Sequence, residues 1–166
     1  MDDASPAPAG PYGQIANLIA RYAFATDDGD FPALGRLFAQ AAFTLNDREP
    51  VHGAAAVTAL AHQVLQTYED GTPRTRHVTT NLLVDIDEPG GTARSRSYFT
   101  VLQSLPAFPL QPIAAGHYED RFARDAAGVW HFAARAVCTD FTGDTSHHTR
   151  PPADGAAAQG PRQIGR

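Results

Sequence analysis

Asp27 and His77 are the two residues of this chain whose types could make a catalytic pair. Asp27 follows a segment of helical periodicity, and His77 opens a segment of strand periodicity. A carboxylate on the far ring nitrogen of a histidine fixes its tautomer and stabilises imidazolium as it forms. The near nitrogen is then free to take a proton. The pair requires a fold that brings two distant positions into contact. Without that contact Asp27 is a helix-end residue beside the equally polar Asp28, and His77 is a strand residue bonded to backbone.

Other polar groups are arranged by the period-two alternation of strands. His117, Glu119 and Arg121 share one strand face, and Tyr118, Asp120 and Phe122 share the other. Neither face is plainly apolar. A polar ligand cavity would explain this, and so would an exposed sheet face crossed by an ion pair. Arg94 and Arg96 share a face near a turn, which suits solvent or a subunit contact. Tyr98 lies further along that face and could hydrogen-bond a ligand oxygen. Trp130, Phe132 and Ala134 read as a core stripe, with Arg135 facing the opposite way toward a pocket or a partner.

No motif calls for a metal or an organic cofactor. His147 and His148 are adjacent and lack zinc-ligand spacing, while His52, His62 and His131 are scattered. Gly90-Gly91 sits in a hairpin turn rather than a phosphate loop, and there is no nucleophile elbow. Cys138, the single cysteine, excludes an internal disulfide and reads as a small buried residue on the last strand.

The elements that must position these groups fall into two halves. Ile15, Leu18, Ile19 and Tyr22 predict a first helix, which Phe24 and Ala25 extend before Asp27, Asp28 and Gly29 interrupt it. Asp30 predicts the cap of a second helix, with Pro32 in its first turn and Leu34, Leu37 and Phe38 on its apolar side. A short strand is expected over 42–45 and a third helix over 53–67. Strands follow over 75–85, with Val78, Thr80, Leu82 and Val84 on one side, and over 92–103. A proline-rich loop is expected over 104–112, then strands over 113–124 and 129–139. Helices first and antiparallel hairpins last define an α+β class, with three helices on one face of a curved sheet that encloses a pocket. Residues 1–11 and 149–166 read as disordered Pro/Gly/Ala-rich tails around one domain over 12–148.

The chain has 166 residues, of which 43% are hydrophobic, enough for one domain with a core. Its net charge of -5 with only 13 Lys and Arg argues against nonspecific nucleic-acid binding, which needs a basic footprint. No apolar run is long enough to span a membrane, and no basic-then-apolar leader is seen, so a cytoplasmic location is expected.

The order of these motifs resembles the SnoaL-like members of the superfamily named for nuclear transport factor two. IANLIARYAFATDDGDFPALGRLFAQAAFTLN is similar to that family's first two helices and first strand. RHVTTNLLVDID resembles the histidine-bearing strand of scytalone dehydratases and hexachlorocyclohexane dehydrochlorinases, and GHYEDRFARDAAGVWHFAARAV resembles their last hairpin. The resemblance covers about residues 12–146. It implies a cone of mixed sheet and helices, and an Asp–His general base at Asp27 and His77 that removes a proton beside a leaving group. The tyrosine that precedes the aspartate in scytalone dehydratases is Thr26 here, so Tyr22 or Tyr98 would have to supply the acidic donor. A substrate-binding position falls at Tyr118 or Glu119, and the dehydrochlorinase arginine best matches Arg124.

The expected activity is a cofactor-independent lyase or isomerase of dehydratase or cyclase type, acting on a small apolar, polyketide-like or aromatic-like molecule. His77 abstracts a proton, Asp27 balances the charge, Tyr98 or Tyr22 donates to a developing oxyanion, and His117 returns a proton or assists a leaving hydroxide. The alternatives are a hydrolase in the same pocket, or a non-catalytic binding or structural subunit like the small chains of ring-hydroxylating dioxygenases. The resemblance also implies a homodimer.

Overall fold

Ile15, Ile19 and Tyr22 recur at helical spacing and are buried along one side of the first helix, α1 (Pro11–Asp27). The computed structural model describes residues 9–150. Of the tails expected at 1–11 and 149–166, residues 1–8 and 151–166 lie outside them. Pro11 already stands in the first turn of α1, where a missing N–H costs nothing. Gly29 turns the chain at a φ of 71°, and a Cβ there would overlap the Gly71 carbonyl oxygen. Asp30 then caps α2 (Phe31–Leu37) as expected, its carboxylate accepting from the Ala33 amide at 2.9 Å.

The short strand β1 (Ala42–Leu45) is followed by a two-residue strand not anticipated from the sequence, β2 (Val51–His52), which pairs with it antiparallel. Helix α3 (Gly53–Val64) ends three residues before the expected limit. Leu65 becomes extended and bridges Thr149, and the Arg150 amide donates to the Val64 carbonyl at 2.8 Å. Thr149 and Arg150, placed in the tail from sequence, are thus tied to the end of α3.

The long strands are β3 (Thr75–Asp87), β4 (Thr92–Leu105), β5 (Phe108–Arg124) and β6 (Trp130–Thr142). They form one sheet of order β2-β1-β6-β5-β4-β3, antiparallel throughout except for the parallel β1–β6 pair. The expected loop over 104–112 shrinks to a tight turn. Pro109 and Pro112 lie within β5, where register shifts opposite Val101–Leu102 and Gln103–Leu105 accommodate residues that cannot donate to a ladder.

Two further irregularities change which side chains face the helices. A bulge between Thr80 and Leu83, with Asn81 at a φ of 55°, breaks the alternation of β3. His77, Thr79, Leu82, Val84 and Ile86 are therefore the more buried set, and Val78 and Leu83 are exposed. In β6 the register shifts by one residue at Ala133, since Arg121 pairs with Ala134 and Phe122 with Phe132. Trp130 and Phe132 are buried as expected, but the stripe continues through Arg135 and Val137 rather than Ala134. Cys138 is half-buried, on the outer face.

The core lies between α1–α2 and the inner face of this sheet. Phe38 stacks on Phe132 at 4.9 Å and meets Phe43 edge-on at 5.0 Å, while Phe122 lies 4.9 Å from Phe132. Each of these fully buried rings contributes about 1.5–3 kcal/mol by area alone. Tyr22 joins α1 to this cluster, 6.1 Å from Phe38 and 6.3 Å from Phe43, and so sets where Asp27 can reach.

Candidate active site

Asp27 is the last residue of α1, where the negative end of the helix dipole disfavours a carboxylate. Three hydrogen bonds from β3 hold it there. The Thr75 hydroxyl donates to Oδ1 at 2.7 Å, the His77 backbone N–H donates to Oδ2 at 2.7 Å, and His77 Nδ1 lies 2.6 Å from Oδ1. Burial raises the Asp27 carboxyl, but the hydrogen bonds and charge of His77, with the Thr75 bond, outweigh it and hold the group below its usual value. The ionised carboxylate can only accept, so the Nδ1 contact requires a hydrogen on Nδ1. That leaves Nε2 of a neutral His77 with its lone pair. Both side chains are almost fully buried, at 8% exposure for His77 and 7% for Asp27.

An aromatic enclosure surrounds the pair. The Tyr22 ring meets His77 edge-on at 6.5 Å and Tyr118 at 5.6 Å, and Phe99 stacks on Tyr118 at 4.7 Å. The Arg135 guanidinium lies 4.2 Å from the centroids of both tyrosine rings. It makes a bidentate pair with Asp120, with both bonds at 2.8 Å, and neither side chain is exposed. Burial raises the Tyr22 and Tyr118 phenols. Arg135 opposes this at both, while Asp120 and Asp27 add to it. Both phenols are therefore neutral hydrogen-bond donors.

His148 completes the enclosure from the C-terminal side. It is 7% exposed, and its ring lies 6.3 Å from that of His77. Burial, and then the charge of His77, lower it from 6.5 to about 4 against the opposing pull of Asp27. Five buried side-chain atoms have no hydrogen-bond partner among the described residues: Thr79 Oγ1, Ser97 Oγ, Gln103 Oε1, Arg135 Nη1 and His148 Nδ1. Thr79, Ser97 and Gln103 share the inner face of β3 and β4 with His77, because they pair with Phe99, Tyr118 and Thr75. Thr79, Gln103 and His148 are thus unsatisfied polar groups on the His77 side of the sheet.

Several expected site residues stand elsewhere. Tyr98 pairs with His117 on the outer face, the side opposite Val101, which pairs with His77. Tyr98 is 52% exposed, and His117 instead pairs with Asp140 at 2.9 Å. Neither side chain reaches the dyad. Glu119 points outward on the same strand as His117. Arg124 lies at the far end of β5, where it donates to the Glu88 carbonyl at 2.8 Å and sits 5.7 Å from the Trp130 ring centroid. Tyr22 and Tyr118 do border the site. Thr26 supplies no donor, because its hydroxyl bonds back to the Tyr22 carbonyl at 2.8 Å.

Arg135 was expected to face a pocket or a partner without being assigned to this site, and His148 was not foreseen here. An arginine between alanines, facing a strand that alternates Tyr, Asp and Phe, is a legible sign of a buried ion pair once the bulge is known. His148 left no comparable signal. Two hollows, of about 410 and 740 Å³, lie beside Ala41 and His52 and beside Ile86 and Phe122, and neither borders His77. Among the described residues no cluster of three or more potential ligands could hold a metal ion, and no helix is long and apolar enough to cross a membrane.

The family model of the SnoaL-like domain matches residues 11–136, and the chain belongs to that family. Its structure is similar to that of Rv3472, a protein of unknown function from Mycobacterium tuberculosis. The two are 28% identical with a TM-score of 0.63, over 78% of this chain and 76% of that one. A structure from Catenulispora acidiphila is 25% identical with a TM-score of 0.65, over 78% and 91%. LinA shares the fold at 22% identity and a TM-score of 0.63, over 85% and 94%. No protein of curated function matches the chain.

Proposed function

We propose that the protein is a cofactor-independent lyase or isomerase of dehydratase or cyclase type, in which His77 is the general base and Asp27 its orienting partner. The observation that carries this reading is the buried Asp27–His77 pair at 2.6 Å, with the second carboxylate oxygen bound to the backbone of the same histidine. That double attachment fixes the ring and points Nε2 away from Asp27. His77 Nε2 removes a proton from carbon, and the C–H electron pair moves toward an adjacent carbonyl or expels a leaving group. Asp27 stabilises the imidazolium. Tyr22 and Tyr118 supply an apolar, aromatic wall for a small polyketide-like or aromatic-like substrate.

The test uses 5-nitrobenzisoxazole, whose ring C–H is removed by a base as the N–O bond breaks to give a coloured nitrile phenolate. Wild-type protein should accelerate this ring opening, and His77→Ala and Asp27→Asn should reduce it at least tenfold. Equal rates in all three proteins would remove the dyad from chemistry.

The close packing about His77 favours one second reading, a non-catalytic structural or binding subunit. We also propose a homodimer through the outer face of the sheet, where Val78, Leu83, Tyr98 and Phe141 are exposed together.

A further inference from the structure

Residues 143–150 form a strap across the end of the sheet. The Gly143 amide donates to the Ile113 carbonyl at 2.8 Å. The His147 carbonyl accepts from the Tyr68 hydroxyl at 2.6 Å and from Gln103 Nε2 at 2.9 Å. The His148 carbonyl accepts from the Gln66 amide at 2.9 Å, and His147 packs on Phe108 at 4.9 Å. The strap is thus fixed on both flanks, to the segment after α3 and to β4–β5. One consequence is that His148 is inserted beside His77.

A buried imidazole with an unpaired ring nitrogen forgoes the hydrogen bond that water would supply in the unfolded chain. His148 Nδ1 is such an atom. A filler of the same shape, such as phenylalanine, would avoid that cost. The two rings make no hydrogen bond to each other, and their centroids lie 6.3 Å apart. Of the two expected acidic donors, Tyr98 stands on the other face, and the Tyr22 phenol remains at the site together with His148.

We propose that His148 is a further catalytic residue of this site, whose Nδ1–H binds a substrate carbonyl oxygen placed between the two histidines while His77 takes the adjacent C–H proton. This rests on the general-base reading of Asp27 and His77. The proton passes from carbon to His77 Nε2, the C–H electron pair forms the C=C bond, and the carbonyl π pair moves onto oxygen. His148 stabilises that enolate oxygen through its hydrogen bond without giving up its own proton. The depressed basicity of His148 suits this role, because a neutral imidazole remains a donor of matched strength to an enolate. The intermediate then takes a proton back at another carbon or expels a β-leaving group. The substrate class narrows accordingly to a small apolar carbonyl compound with an acidic C–H beside the carbonyl.

Two probes separate the base from the oxyanion partner. Exchange of the benzylic α-hydrogens of 2-tetralone in D2O, followed by proton NMR, needs both. Ring opening of 5-nitrobenzisoxazole needs only the base. His148→Ala should slow 2-tetralone exchange about 100-fold, with ring opening changed less than threefold and cooperative thermal unfolding retained. His148→Asn, which keeps an N–H donor near the Nδ1 position, should recover at least a tenth of the exchange rate. Unchanged exchange in His148→Ala overturns the proposal, and so does an equal loss of both reactions, which would make His148 only a cover for His77. Failure of the wild-type protein in both reactions overturns the base reading and this inference with it. Ring opening without tetralone exchange in the wild type overturns this inference alone.

Discussion

Acidification should weaken the fold through His148 in a way that one substitution removes. The folded protein holds His148 at about 4 against an ordinary 6.5, because burial and the charge of His77 penalise imidazolium. Between those two values the unfolded chain binds a proton that the folded chain refuses. Stability therefore rises with pH across this window, being fully present above about 6.5 and lost below about 4. The separation of the two values corresponds to about 3 kcal/mol. His148 is 7% exposed, so solvent screening removes little of it. Urea unfolding at about pH 7.5 and about pH 4.5 reads the difference directly through the midpoint and slope. His148→Gln cannot titrate, so wild type should lose about 2–3 kcal/mol more than the variant between the two conditions. Equal losses would mean that His148 takes up its proton freely in the folded state. The strap would then not bury it against His77, and the reasoning fails.

Other substitutions test neighbouring parts of the structure. Arg135→Leu leaves Asp120 buried without its partner and should cost about 3–5 kcal/mol, whereas adding Asp120→Leu should return much of that loss in a thermal melt. Asp27 contributes stability that is present above its unfolded value near 3.8 and is lost as pH falls through its lower folded value. Asp27→Asn should flatten this acid limb below about pH 4 in circular-dichroism titration; an unchanged limb would mean that the His77 and Thr75 bonds do not hold the carboxylate. Leu83→Glu and Phe141→Glu place charges on the outer sheet face and should convert a sedimenting dimer to monomer. A wild-type monomer would contradict the proposed use of that face.

The sequence carried the element types well because they depend on local physics. Asp30 and Pro32 mark a helix start wherever they occur before an apolar periodic run, and the Asp87–Gly91 turn marks a hairpin. The faces of the strands were harder to read. Strict alternation puts Val78 on one side with Leu82 and Val84, and Arg135 opposite Trp130 and Phe132, but one-residue irregularities at Asn81 and Ala133 break both groupings. A bulge has weak sequence preferences, so the residues that form it do not announce it.

The site was legible to the same uneven degree. Contact between Asp27 and His77 was plausible from residue chemistry, but only the likeness to a family made it an expectation. Tyr98 and His117 looked suitable because of their types, yet pairing places them on the wrong face. His148 was missed because its burial comes from tertiary docking of the strap. Backbone bonds to Val64 and Gln66 and a bond from the Gln103 side-chain amide hold that segment, and none of them leaves a periodic pattern in the sequence.

The central claim is that Asp27 fixes His77 with its proton on Nδ1 and its lone pair on Nε2. Long-range proton–nitrogen NMR of the histidine rings at about pH 8 reads the tautomer directly. The account predicts a protonated, pyrrole-type Nδ1 and an unprotonated, pyridine-type Nε2 for His77 in the wild type, with the preference lost in Asp27→Ala. A His77 carrying its proton on Nε2 would contradict it, because such a ring could not accept a proton from a substrate while bound to Asp27.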